Sequence, residues 1–126
     1  MSKKFYICNK CGNLMEEING SGVPVVCCGE KMHELTANTV EASHEKHLPV
    51  VTVNGSEIEV KVGSAVHPMV EEHSILWIYL QTSKGGQLKS LKPGDAPEAK
   101  FTLIDDEAIA AYAYCNLHGL WKTEIK

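Results

Sequence analysis

The chain has 126 residues, 12 basic against 16 acidic side chains for a formal charge of −4, and five cysteines. That balance, with no basic tract, argues against nucleic-acid binding, and no apolar run approaches the ~20 residues of a membrane span. The basic flank Lys3-Lys4 runs into Cys8, Asn9 and Lys10 before a signal-peptide core can develop, and an odd set of cysteines suits metal ligation in a reducing compartment, so a cytoplasmic location is expected.

Residues 1–36 read as a small metal-nucleated module. Phe5-Tyr6-Ile7 leads into Cys8-Asn9-Lys10-Cys11, and Gly20-Ser21-Gly22 is a turn. Val23 to Val26 then leads into the adjacent pair Cys27-Cys28, with Gly29 behind it. So short a segment cannot bury enough apolar surface to fold without a staple. Thr36 to Thr39 reads as the junction, which puts the second domain at residues 37–126.

That second domain reads as mostly β. Pro49 to Val53 is a short apolar strand, and Asn54-Gly55 is a hairpin signal. Ser56 to Val62 alternates, with Ile58, Val60 and Val62 on one face and Glu57, Glu59 and Lys61 on the other. Ser74 to Gln81 is strongly apolar, and Gln87 to Leu91, Ala99 to Ile104, Ala108 to Tyr114 and Leu120 to Ile125 supply the rest. Ala108 to Ala113 has helical propensity, but Tyr112, Tyr114 and the regular strand spacing favour a strand. About seven short strands separated by turns predict a β-sandwich.

Cys8-x-x-Cys11 with Cys27-Cys28 is the arithmetic of a tetrahedral four-thiolate site, which zinc and iron satisfy equally. The two adjacent cysteines can share one metal only if the backbone twists between them, which should distort the tetrahedron. Four protein thiolates leave no open position, so the role is structural or electron transfer.

Cys115 is then left without a cysteine partner, three residues before His118. A mixed thiolate and imidazole centre suits iron, copper or zinc. Of the other histidines, His47, His67 and His73 lie at strand edges or loops, where sites on a sandwich are built. His44 competes with His47, and His33 lies in the small module. Composition alone leaves that choice open.

Three stretches together resemble the desulfoferrodoxin family, the two-iron superoxide reductases. They are Tyr114-Cys-Asn-Leu-His-Gly-Leu-Trp121, Glu45-Lys-His-Leu-Pro-Val50 and Ala65-Val-His-Pro-Met69. The N-terminal cysteines are similar to the desulforedoxin-like module, so the likeness covers essentially the whole chain. The resemblance implies a desulforedoxin-like domain at 1–36 and a seven-stranded immunoglobulin-like sandwich at 37–126. It implies two irons per chain, one held by Cys8, Cys11, Cys27 and Cys28, the other by His47, His67, His73 and His118 with Cys115 as axial thiolate. Lys46 would lie near the open position, and Glu45, on a mobile loop, could ligate the oxidised metal. The resemblance further implies a rubredoxin-like electron donor and a homodimer.

The chemistry of that ligand set agrees. Ferrous iron, four neutral imidazoles and one thiolate carry a single net positive charge, which favours an approaching anion, and Lys46 would add local attraction despite the acidic whole. The amides of Asn116 and Leu117 are candidate donors to the Cys115 sulfur. The expected activity is one-electron reduction of superoxide to hydrogen peroxide without dismutation. The alternatives are an electron carrier with no substrate of its own, or a zinc-stabilised binding module whose histidines are unconnected.

Overall fold

The structure is a computed structural model, and it describes residues 3–126. The chain divides into two compact units, Met1–Thr36 and Ala37–Lys126.

In the first unit, β1 (Lys4–Ile7) is flanked by β2 (Leu14–Glu17) and β5 (His33–Glu34), both antiparallel to it. A two-residue ribbon of β3 (Val26–Cys27) and β4 (Glu30–Lys31) forms a separate hairpin. Among the described residues only Phe5, Cys8 and Met32 of this unit are buried apolar groups. Such strands are too short, and such a core too small, to hold a fold without help.

The second unit begins its regular structure with one helical turn, α1 (His44–His47), and continues through seven strands. β6 (Pro49–Asn54), β7 (Glu57–Val62) and β10 (Glu98–Thr102) make an antiparallel sheet in the order β10-β7-β6. β8 (Ile75–Thr82), β9 (Gly85–Ser90), β11 (Ala108–Cys115) and β12 (Gly119–Glu124) make another, in the order β12-β11-β8-β9. The alternation in β7 does what its sequence asks, burying Ile58, Val60 and Val62. These side chains and Phe101 share one apolar cluster with Ile75, Ile78, Leu80, Ala111, Ala113 and Cys115 from the other sheet. The thiol of Cys115 therefore lies at the edge of the core, not in a surface loop.

β11 is a strand despite its alanines because it is paired on both sides and buried on both faces. Small side chains are what such a position can hold, and tertiary burial outweighs the weak helical preference of alanine. The β6–β7 hairpin turns one residue later than the Asn-Gly signal suggests. Asn54 is paired with Glu57, so Gly55 and Ser56 are the turn, and Gly55 takes a φ of 63°. Glycine at the first central position is the requirement of a type II′ turn. Among the described residues no helix is long and apolar enough to cross a membrane.

Candidate metal centres

The four N-terminal cysteines meet where β1 ends and where β3 turns into β4. The Cys8 amide donates to the Asn13 carbonyl at 2.8 Å, and the Gly12 amide donates back to the Cys8 carbonyl at 2.9 Å, so Cys8 to Asn13 forms a closed knuckle. In the second knuckle Cys28 has a φ of 54° and Gly29 a φ of 78°. This is the local twist that lets two adjacent cysteines face one point. The four sulfurs lie within 4.8 Å of one another, and Cys11 Sγ stands 3.7 Å from Cys27 Sγ. A tetrahedron with metal–sulfur bonds of ~2.3 Å has edges of that size. The amides of Cys11 and Lys10 pull the Cys8 thiol down to about 7, while the neighbouring thiols of Cys11 and Cys8 push Cys28 up to about 12. Four thiolates so close together repel one another, and a bound cation is what allows all of them to deprotonate.

The other cluster is assembled from α1, the loop after β7, the segment leading into β8, and the end of β11 with the turn after it. His47 Nε2 stands 3.2 Å from His67 Nε2 and 3.0 Å from His118 Nδ1, and His118 Nδ1 stands 3.9 Å from Cys115 Sγ. One donor atom from each of His47, His67, His73 and Cys115 lies within 4.8 Å of the others. Nitrogens ~2.1 Å from a common ion would take such N···N separations. His73 Nε2 is buried with no hydrogen-bond partner. A buried polar atom left unpaired costs about 1–3 kcal/mol, and a metal ion at this point would satisfy it.

Hydrogen bonds fix how the rings face. The Nδ1–H of His47 donates to the Ser43 carbonyl and that of His67 to the Pro68 carbonyl, each at 2.6 Å. Both bonds hold the proton on Nδ1 and leave the Nε2 lone pair aimed into the cluster. Trp121 stacks on the His47 ring at 4.9 Å and donates its indole N–H to the His118 carbonyl at 3.1 Å, bracing two of the histidines. Burial lowers the pKa of His47 and of His73 and brings His67 down to about 4. The rings therefore remain neutral, as ligands must be.

Burial raises the Cys115 thiol, while the amides of Leu117 and His118 favour its thiolate. The expected donor pair, Asn116 and Leu117, is thus corrected by one position. The Asn116 amide is turned away to the Ser74 carbonyl, at 3.2 Å.

Glu45 and Lys46 are both exposed on α1. Burial is the main reason His47 and His73 are lowered, and the nearby Lys46 charge adds in the same direction. The Glu45 carbonyl accepts from the Ala65 amide at 2.8 Å and the Ser64 hydroxyl at 3.3 Å, tying the main chain of this turn to the segment after β7. His44 packs its ring edge-on against Trp121 at 5.3 Å, outside the convergence of donor atoms, and His33 is an exposed residue of β5. Sequence reasoning did not single out Gly63. A Cβ there would collide with the Glu45 carbonyl oxygen and stand 2.8 Å from the Lys46 carbonyl carbon. Nothing in the local sequence marks a glycine whose neighbour comes from α1.

A four-thiolate cluster in one unit and a histidine–cysteine cluster at the edge of a β core in the other define a two-centre metalloprotein, consistent with two irons per chain. The desulfoferrodoxin family profile matches residues 39–124. A desulfoferrodoxin of Syntrophotalea carbinolica is 47% identical over 119 residues, covering 94% of each chain. The crystal structure of the superoxide reductase from Treponema pallidum has a TM-score of 0.82 at 42% identity, covering 98% of this chain and 100% of that one. A superoxide reductase (1Fe-SOR) from Giardia intestinalis has a TM-score of 0.56 at 31% identity, covering 65% of this chain and 98% of that one. The chain belongs to the desulfoferrodoxin family, and it is an oxidoreductase of the superoxide reductase class.

Proposed function

We propose that this protein reduces superoxide by one electron to hydrogen peroxide at an iron held by His47, His67, His73, His118 and Cys115. The observation that carries the reading is the convergence of the imidazoles of His47, His67 and His73 with the Cys115 thiol, the buried Nε2 of His73 unsatisfied there and His118 Nδ1 adjoining at 3.0 Å from His47 Nε2. When bound, ferrous iron supplies the electron. The residues do the rest. The thiolate of Cys115, served by the amides of Leu117 and His118, donates electron density to the centre. Lys46 draws the anion to a site on an otherwise acidic molecule and holds a proton source for the product. Glu45, exposed on the same turn, is the carboxylate that competes with product and assists its release.

In this reading residues 1–36 are a desulforedoxin-like iron domain and residues 37–126 the catalytic domain. Two sheets around one apolar cluster support an immunoglobulin-like sandwich for the latter. Cys11 and Cys28 are exposed, which suits electron entry at the four-cysteine centre from a rubredoxin-like donor. Exposed Ile18, Val23 and Val26 on so small a unit suit a homodimer, and cysteines grouped as metal ligands suit a reducing cytoplasm. Replacing Cys115 with Ser tests the assignment. Superoxide reduction should be lost while the four-cysteine centre stays filled; retained activity would refute Cys115 as a residue that would hold the iron.

A further inference from the structure

Asn116 stands between Cys115 and His118 in sequence, yet its contacts lie with neither. Its side-chain Nδ2 donates to the Glu72 carbonyl at 3.0 Å, and its Oδ1 accepts from the Ser74 amide at 3.0 Å. Its own amide donates to the Ser74 carbonyl at 3.2 Å. The amide and carbonyl of His73 are paired with Val70, at 3.1 and 3.0 Å. The main chain around His73 is thus held by Val70 on one side and by Asn116 on the other.

We infer that Asn116 is a positioning residue of the histidine–cysteine centre: its carboxamide bridges the peptide groups on either side of His73 and fixes that imidazole against Cys115. The ordinary role of an exposed asparagine in a tight turn is to bond its own backbone a residue or two away. Here the partners are 42 and 44 residues distant, on the segment that carries another member of the cluster. The chemistry needs an amide. Asparagine offers a donor and an acceptor in one plane, whereas aspartate would set a carboxylate oxygen against the Glu72 carbonyl, and alanine would offer nothing. Turning the Asn116 amide toward Ser74 also leaves Leu117 and His118 to face the sulfur. A single residue therefore sets both the location of one imidazole and the hydrogen bonding of the thiolate.

This inference rests on the reading of the cluster as an iron site, and the four-cysteine centre of the same chain is its internal control. The anaerobic full-length protein is loaded with ferrous iron, and release to a chelator is followed at each centre for the parent, N116A and N116D. Both variants should release iron from the histidine–cysteine centre about tenfold faster, the low end for loss of an outer hydrogen-bond partner. The visible thiolate absorption of the oxidised centre should shift in both, while the four-cysteine centre releases iron at the parental rate. Unchanged release and absorption in both variants would overturn the inference alone, as would equal acceleration at both centres, which would make Asn116 a support of the fold. A parent that bound iron only at the four-cysteine centre would overturn the functional reading and this inference with it.

Discussion

Lys46 is exposed on α1, directly before His47, has no ion-pair partner among the described residues, and its charge adds to the burial that lowers His47 and His73. Its replacement by isoleucine removes one positive charge from the approach to the cluster without touching a donor atom. The second-order rate with superoxide should fall about tenfold and lose salt dependence, with iron content unchanged; stopped-flow measurement at several ionic strengths checks this. At this scale the sequence is informative where a residue's chemistry is intrinsic. Cysteine and histidine at Cys115 and His118 announce a metal by type and spacing. Asn116, Gly63 and Trp121 do not, because what each does depends on a partner brought in from a distant segment. The sulfur's amide donors were misjudged for a related reason: which peptide faces Cys115 is decided by Ser74, far away in sequence.

Two connections between elements carry further consequences. Gly63 follows β7 and packs against the main chain of α1. Alanine there must push that turn outward, since the neighbour is backbone. We predict a loss of about 1–3 kcal/mol in chemical unfolding together with a slower superoxide reaction, because the displaced turn bears Lys46. At another turn, the Thr82 hydroxyl above all, and then the amides of Glu107 at 2.8 Å and Lys84 at 3.1 Å, donate to Asp106 and hold its carboxyl below the usual range. A depressed carboxylate stabilises the fold above its unfolded value of roughly 4 and loses that contribution as pH falls through the lower folded value. D106N should therefore be less stable than the parent at neutral pH, and the difference should close in strong acid, as unfolding curves at both pH values would show. The strands themselves were legible. Alternation located β7, and aromatic residues outweighed alanine propensity in β11. The turn α1 was not, since four residues carry no helical period and the conformation is held by contacts to residues 64 and 65.

On the scale of the whole chain, the two units differ in what holds them together. Residues 37–126 have a continuous apolar cluster fed by both sheets, whereas among the described residues the first unit buries little beyond Phe5, Cys8 and Met32. Strong chelation should unfold the first unit and leave the second folded, which amide exchange would resolve residue by residue; a first unit that stayed protected without metal would contradict the staple argument. The central claim concerns the second unit's chemistry. Its most direct test is the yield of hydrogen peroxide when the iron-loaded protein, supplied with an external electron donor, consumes a known amount of superoxide. The account predicts one peroxide for each superoxide, with no dioxygen evolved. One peroxide for every two superoxides, with dioxygen as co-product and no donor consumed, would mean that superoxide only dismutates and that the protein is no reductase; that result would contradict it.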